Sequence, residues 1–149
     1  TQIEKGMTIL IPAFNEEKTI LNCLQGIVNV SYKNYEVIFI SDGSTDKTFE
    51  LLCDYLNAKS SGKMPAGKII HEHVIGCYQS STCPNIYLIE KVNGGKADAL
   101  NVGIEYASHD IIITLDADSI LDPNSLHAMN TAFDDEKVLA AGGMVQIFN

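Results

Sequence analysis

The chain has 149 residues and a mass of 16.2 kDa, with 46% hydrophobic and 19% charged residues. This composition is typical of a folded globular domain and excludes a disordered or fibrous protein. The net charge is −9 and all ten basic residues are lysines. A nucleic acid is excluded as a partner, because polyanion binding needs clustered basic residues. The apolar runs are too short to cross a membrane.

Strand and helix patterns alternate along the chain. In order, they predict strand 7–12, helix 15–30, strand 35–41, helix 42–59, strand 85–90, helix 95–108, strand 110–116, helix 122–133 and a last extended piece 138–148. Alternation with fully apolar strands is typical of an α/β protein whose parallel strands are covered by helices on both faces. We therefore predict a three-layer αβα sandwich with a mostly parallel central sheet.

Residues 59–84 interrupt this alternation. We interpret them as a loop excursion on the surface, with one short edge strand at 69–74. Four residues in this stretch could ligate zinc: His71, His73, Cys77 and Cys83. Their spacing matches none of the usual structural zinc patterns, so a surface excursion remains the favoured interpretation.

Two aspartates follow the strand predicted at 110–116. Residues i and i+2 of an extended segment project to the same side, so the carboxylates of Asp116 and Asp118 should converge. Two like charges this close must share a proton or a cation, and hard oxygen ligands suit Mg²⁺ or Mn²⁺. The alternative is that the pair caps helix 122–133, but Asp122 already stands at that cap position.

A Gly-Gly-Lys segment precedes the helix predicted at 95–108. Gly94 and Gly95 allow the backbone to approach a ligand, and the helix N-terminus and the ammonium of Lys96 suit a phosphate. The segment lacks the spacing of a Walker A loop. Taken alone, it is equally compatible with a plain loop-to-helix transition.

The stretch "SDGSTD" follows the second predicted strand. Gly43 is expected to make a turn, and Thr45 or Asp46 to cap the next helix. Asp42 has no such explanation. Its carboxylate could accept hydrogen bonds from a base or a ribose hydroxyl, and Phe14 could form one wall for the base.

Four segments together resemble the family 2 glycosyltransferases: "TILIPAFNEEKTI", "EVIFISDGSTDKT", "NGGKADALNVGI" and "IIITLDADS". The resemblance covers nearly the whole chain apart from 59–84. It implies the Rossmann-like, nucleotide-sugar-binding GT-A fold. The segment "NGGKADALN" ahead of "DADS" is most similar to the processive β-glycan synthases, namely those of poly-N-acetylglucosamine, hyaluronan, chitin and cellulose. The implied reaction is metal-dependent transfer of a sugar, by preference an N-acetylhexosamine, from a UDP-sugar to a glycan acceptor with inversion.

The resemblance also implies roles for particular positions. The nucleotide pocket would be formed by Pro12, Ala13, Phe14, Asn15, Glu16 and Asp42. Residues 12–14 would line the uracil site, with Asn15 and Glu16 at its edge, and Asp42 would bind the uracil.

The remaining implied roles concern the diphosphate and the metal. Lys96 would lie along the nucleotide phosphates. Asp118 would ligate Mn²⁺ or Mg²⁺ directly, while Asp116 would stand nearer the ribose and the metal-bound waters. A cation neutralises a diphosphate leaving group, which explains how an acidic domain could hold an anionic nucleotide.

The sequence departs from the family pattern in two ways. Ser41 stands where the family often has an aspartate, and the family's downstream general base and Gln-x-x-Arg-Trp motif are missing from a chain without arginine or tryptophan. Asp134, Asp135 and Glu136 come too early to be that base. We therefore expect an N-terminal, donor-binding part of a truncated GT-A domain. The base would lie downstream of Asn149, and the isolated chain would be inactive.

Two alternatives remain open. A haloacid-dehalogenase-type phosphatase would use Asp116 as nucleophile and Asp118 as acid, but three strand–helix units precede the motif that such enzymes place on their first strand. The second alternative is a non-catalytic nucleotide-sugar-binding module. The four dispersed cysteines form no disulfide framework, which favours a reducing compartment. The family resemblance places such a domain at the cytoplasmic face of a membrane, attached through segments outside this chain.

Overall fold

The computed structural model describes residues 3–134 and 144–147. Its elements are β1 (Met7–Ala13), α1 (Ile20–Val28), β2 (Tyr35–Asp42), α2 (Thr48–Leu56), β3 (Ala58–Ser60), β4 (Val74–Ser80), β5 (Ile86–Lys91), α3 (Lys96–Tyr106), β6 (Ile111–Thr114), α4 (Ser125–Asp134) and β7 (Met144–Ile147). The extended piece predicted at 138–148 lies outside the described residues except for β7. Over the described ranges, no helix has both the length and the hydropathy that crossing a bilayer requires.

Within the described residues, seven strands form one sheet in the order β3-β4-β5-β2-β1-β6-β7. The four central strands, β5, β2, β1 and β6, are parallel to one another. The outer strands β3, β4 and β7 pair in antiparallel fashion. The predicted parallel centre is confirmed, and it explains why β1 and β2 are continuous apolar runs, since a central parallel strand is buried on both faces.

Helices cover both faces of the sheet because side chains alternate along each strand. Ile9 and Ile11 of β1 belong to the core that contains Leu24 of α1, together with buried residues of α2 and α4. Leu10, between them, belongs to the opposite core with Val102 of α3. The three-layer αβα arrangement is therefore confirmed, with three helices on one face and α3 on the other.

The structure differs from the loop predicted over 59–84. Two strands, β3 and β4, extend the sheet here, and the edge strand predicted at 69–74 lies instead at Val74–Ser80. The pairing of β4 with β5 shifts register between Val74 and Gly76. Such a bulge interrupts the alternation of apolar and polar residues from which a strand is predicted. The stretch between β3 and β4, residues 61–73, and the turn at 81–84 match the predicted irregular excursion.

Helices α1 and α2 begin later than predicted. The residues before α1 and those before α2 form turns that contact one another, so neither set of residues is part of the helix that follows it. Lys47, rather than Thr45 or Asp46, occupies the N-cap position of α2. The Asp46 carboxylate still accepts hydrogen bonds from the backbone N–H and the hydroxyl of Thr48, at 2.9 and 2.6 Å.

Candidate functional site

A cavity of about 320 Å³ opens at the carboxyl ends of the central strands. This edge of a parallel sheet is where ligands of α/β proteins bind. The cavity is lined by Pro12, Ala13, Phe14, Glu16, Asp42, Lys96, Asp116, Ala117 and Asp118. The sequence-predicted site residues thus meet in one place, with the exception of Asn15.

Asn15 links two loops next to the cavity. Its side-chain oxygen accepts hydrogen bonds from the backbone N–H groups of Thr45 at 2.8 Å and Asp46 at 3.2 Å. The residue has φ +53°, in the left-handed region that asparagine tolerates better than most residues. This geometry fixes the loop after β1 against the loop after β2, and so positions Phe14 and Glu16 on either side of it.

Phe14 presents an aromatic ring to the cavity. Its side chain is 46% exposed, although a phenylalanine gains free energy when it is buried. The backbone before it is fixed, because Pro12 and Ala13 are the last residues of β1 and Ala13 is buried. A rigidly held, exposed ring is suited to stacking on a planar base.

Asp116 and Asp118 lie in a turn and not on an extended segment. Strand β6 ends at Thr114, and the Ser119 N–H donates to the Asp116 carbonyl at 2.9 Å. The geometry assumed in the prediction is therefore wrong, but both carboxylates do line the cavity. The turn is anchored by Ala117, which is 3% exposed and packs in the core while its two neighbours are exposed.

The start of α1 supports this turn from below. The Thr19 hydroxyl donates to the Ala117 carbonyl at 3.3 Å, and the Cys23 thiol lies 4.0 Å from the Asp116 carbonyl oxygen. Burial, and secondarily the charge of Asp118, raises the pKa of Cys23 to about 12. The thiol therefore stays neutral beneath the acidic pair. The sequence pattern around Cys23 does not reveal its place under the turn.

Lys96 forms an ion pair with Asp116 across the cavity. The ammonium lies 2.7 Å from Asp116 Oδ1, and both side chains are more than half exposed. Such solvent-exposed pairs contribute about 0–1 kcal/mol, so little free energy is needed to separate them. Lys96, the predicted phosphate contact, and Asp116, a predicted metal ligand, are therefore neighbours. Each can leave the other to bind a ligand.

Asp42 lies at the back of the cavity and is 4% exposed. Its Oδ1 accepts hydrogen bonds from the Lys91 ammonium and from the Gly94 N–H at 3.0 Å. Its Oδ2 accepts one from the Gly95 N–H at 2.9 Å. The predicted interpretation of the two glycines needs correction, since their N–H groups bind a carboxylate of the protein. Lys96 is the group that this loop presents to the cavity.

Lys91 and Asp98 complete a buried cluster that the sequence did not reveal. Lys91 is fully buried and bonds to both Asp42 and Asp98, the latter at 2.6 Å. Burial acts to lower the pKa of Lys91, but the hydrogen bonds and charges of the two aspartates outweigh it and raise the pKa. The only sequence signal is a lysine at the end of an apolar strand, which is equally common at an exposed strand end.

Gly43 lets the loops after β2 and β5 approach each other, and Gly95 adopts the backbone conformation that leads into α3. Gly43 has φ +70°, and a Cβ at this position would lie 2.7 Å from the backbone nitrogen of Asn93. Gly95 has φ +96° and precedes α3. Both conformations favour glycine, and the contact between loops at Gly43 brings Asp42 to residues 93–95.

The acidic pair fits a divalent cation. Within the described residues, no three or more His, Cys, Asp and Glu side chains are grouped to hold a metal ion. Asp116 and Asp118 offer two exposed carboxylates at one cavity. Mg²⁺ characteristically takes one or two carboxylates and completes its shell with phosphate oxygens and water.

The parallel sheet centre, its helical layers and the cavity at the carboxyl edge agree with the GT-A fold that the four motifs imply. The model of the family described as "Glycosyl transferase family 2" matches residues 8–149. The chain therefore belongs to glycosyl transferase family 2. This confirms the resemblance carried by the four motifs, and it leaves the phosphatase and non-catalytic alternatives without support.

Curated relatives and solved structures agree with this assignment. Poly-beta-1,6-N-acetyl-D-glucosamine synthase of Staphylococcus aureus (strain COL) is 32% identical over 146 residues, which cover 97% of this chain and 30% of the synthase. The chain thus spans about a third of the length of such relatives.

Two solved structures show the same fold. A structure of S. aureus TarS residues 1–349, in complex with UDP-GlcNAc, has a TM-score of 0.66 and 18% identity, and the match covers 89% of this chain and 32% of that TarS chain. The mannosyltransferase PcManGT from Pyrobaculum calidifontis, in complex with GDP-Man and Mn²⁺, also has a TM-score of 0.66, with 22% identity over 94% of this chain and 34% of that protein.

Proposed function

We propose that this chain is the donor-binding part of an inverting glycosyltransferase, and that its cavity binds a UDP-sugar. The observation that carries the proposal is the meeting of an acidic pair, a lysine and an exposed aromatic ring at the carboxyl edge of the sheet. The 32% identity to a poly-N-acetylglucosamine synthase favours an N-acetylhexosamine donor and a glycan acceptor.

Each side chain has a distinct task in this proposal. Phe14 stacks on the uracil, and the ammonium of Lys96 leaves Asp116 to contact the diphosphate. Asp118 ligates Mn²⁺ or Mg²⁺ directly and Asp116 lies beside it. When bound, the cation neutralises charge on the diphosphate leaving group. The dependence on a cation follows from the lining itself, which carries the carboxylates of Glu16, Asp42, Asp116 and Asp118 beside the ammonium of Lys96.

Donor binding and sugar transfer need not reside in the same stretch of chain. Transfer requires a general base that deprotonates the acceptor hydroxyl. In this proposal Asp116 and Asp118 serve the donor and its cation, and the Asp42 carboxylate is bonded to Lys91, Gly94 and Gly95. We expect the 149-residue chain to bind UDP and to transfer little or no sugar. The whole protein would act at the cytoplasmic face of a membrane, attached through other segments.

Calorimetric titration of UDP into the chain, with Mn²⁺ and with EDTA, tests the proposal. We expect binding with Mn²⁺ and its loss in EDTA. Asp118→Ala should abolish the Mn²⁺-dependent binding without unfolding the chain, because Asp118 is exposed. Asp110→Ala is the matched control, since Asp110 is an exposed aspartate at the opposite edge of the sheet. Equal binding in EDTA, or full binding by Asp118→Ala, would contradict the proposal.

A further inference from the structure

Lys91 is the most deeply buried charged side chain near the cavity, yet it does not line it. Its side chain has no exposed surface. The ammonium bonds to Asp42 and Asp98, and it also donates to the Val92 carbonyl at 2.7 Å. All three N–H donors of the ammonium thus have an acceptor, so the group is held in one orientation.

The two aspartates need this cation. The Asp42 and Asp98 side chains are 5% and 16% exposed, respectively. Buried carboxylates that lose their countercharge are strongly destabilised, and they respond by taking up a proton or moving towards water. Lys91 therefore supplies the countercharge of the Asp42 carboxylate at the back of the cavity.

Asp42 in turn holds the glycine loop, residues 93–95. Its carboxylate accepts the N–H groups of Gly94 and Gly95, and its backbone carbonyl accepts the Asn93 side-chain amide at 2.9 Å. Three successive residues of the loop are thereby bonded to one residue of β2. Lys96 follows directly and begins α3, so the position of its backbone depends on these bonds.

We infer that Lys91 is a positioning residue for donor binding, acting through Asp42 and the glycine loop to place Lys96 at the cavity. The inference rests on the proposed function for its effect on UDP, but its structural part, the hold on the glycine loop, is independent of any ligand. Lys91 itself touches neither the donor nor the metal.

The first test measures the UDP affinity of Lys91→Met in the presence of Mn²⁺. Loss of a group that orients a metal ligand typically costs about 10–100-fold in metal affinity or activity, and by analogy we expect UDP affinity to fall about tenfold. Lys63→Met is a matched control, because Lys63 is a largely buried lysine paired with Glu36 at 3.2 Å, away from the cavity lining. Its UDP affinity should equal that of the wild type. Unchanged affinity of a folded Lys91→Met chain would overturn the inference.

A double-mutant cycle tests the route through Lys96. If Lys91 acts by placing Lys96, then Lys91→Met should have little further effect in a Lys96→Ala background. Sites that act independently give additive changes. Additive losses would therefore overturn the route, and strong non-additivity would support it.

Hydrogen exchange separates this inference from the proposed function. The amides of Gly94 and Gly95 should be protected in the wild type and exchange at least about tenfold faster in Lys91→Met, since an opened hydrogen bond exposes the amide. Exchange at these two amides can be measured even if the wild-type chain binds no UDP. Failure to bind UDP would overturn the proposed function but not the hold of Lys91 on the glycine loop. Should Lys91→Met not fold, Lys91→Met/Asp98→Asn removes one of the orphaned charges and takes its place. Unchanged protection in either folded variant would overturn the inference.

Discussion

Asp42 shows how the environment of one residue changes the interpretation of its sequence. In "SDGSTD" it is a spare carboxylate with no structural task. In the structure it is the acceptor for one ammonium and two backbone N–H groups contributed by residues about fifty positions away. No local pattern contains these partners, because they arise from the parallel pairing of β2 with β5. Its position at the cavity was predictable, whereas its bonding was not.

Lys96→Ala separates ligand binding from stability at the residue scale. We expect the free energy of unfolding to change by less than about 1 kcal/mol, because an exposed ion pair contributes little and both Lys96 and Asp116 are exposed. UDP affinity should fall, since the ammonium is the basic group that lines the cavity.

Urea unfolding and calorimetry on the same preparations measure the two effects of Lys96→Ala. Lys47→Ala is the control, because Lys47 is an exposed lysine next to α2 that does not line the cavity. A large loss of stability without a loss of affinity would show that the pair is structural and that Lys96 does not meet the phosphates.

The turn after β6 is an element whose position was predictable and whose shape was not. The apolar run "IIIT" followed by two aspartates correctly indicated a strand that ends at the cavity. The extended geometry fails because β6 ends at Thr114 and the Ser119 N–H bonds back to the Asp116 carbonyl, with Ala117 buried between the two exposed aspartates. The acidic pair then converges through a turn, supported by Thr19 and Cys23 of a distant segment.

The segment between β3 and β4 is held on α3 by two carboxylates. Glu105 is 3% exposed and accepts backbone hydrogen bonds from Gly67, Lys68 and Ile69, the last two at 2.8 and 2.6 Å. Asp98, one end of the buried cluster, accepts another from the Glu72 N–H at 3.0 Å. Segment 61–73 therefore has two attachments to α3, one in its first turn and one in its last.

Glu105→Gln should break the attachment of residues 67–69 to the last turn of α3. A glutamine has one acceptor oxygen and would bring an NH₂ group towards backbone donors, so we expect a loss of about 1–3 kcal/mol in the free energy of unfolding. The amides of Gly67, Lys68 and Ile69 should exchange faster, while those of the central strands keep their relative protection. Hydrogen exchange with mass spectrometry and urea unfolding measure both.

Glu50→Gln provides the comparison for Glu105→Gln, because Glu50 is an exposed glutamate on α2. Its free energy of unfolding should change by no more than about 0.5 kcal/mol. Equal exchange at 67–69 in the wild type and in Glu105→Gln would show that the segment is held by other contacts.

At the scale of the whole molecule, the sequence predicted the sheet centre better than its edges. The central strands are apolar on both faces, so strands such as "MTILIPA" and "YEVIFISD" can be recognised from their continuous apolar runs. Strand β3 is three residues long and mostly exposed, and β4 is partly exposed and bulged. Such edge strands are defined by their partners, which a single sequence does not reveal.

The fold also determines how the whole molecule responds to acid. Burial alone would raise the pKa values of Glu36, Asp98 and Glu105, but their hydrogen bonds and nearby cations outweigh it, so each pKa is lowered. A carboxyl group whose pKa is lower in the folded than in the unfolded state stabilises the fold at pH values above its unfolded-state pKa, here 3.8 to 4.5. This stability is lost as the pH falls through the folded-state pKa. The raised pKa of Lys91 acts only in the alkaline range, where stability is lost as pH rises.

We therefore expect the midpoint of thermal unfolding to be lower at pH 3.5 than at pH 7. Repulsion between like charges predicts the opposite: the unfolding midpoint should rise as pH falls from 7, because the net charge of −9 approaches zero at the isoelectric point near 4.7. Scanning calorimetry between pH 3 and 8 distinguishes the two. The variant Glu36→Gln/Glu105→Gln should have a lower midpoint at pH 7 and a shallower fall below about pH 4.5, since it lacks two of the titrating groups. A stability maximum at the isoelectric point, or an equal slope in the variant, would show that global charge and not these buried carboxylates controls acid unfolding.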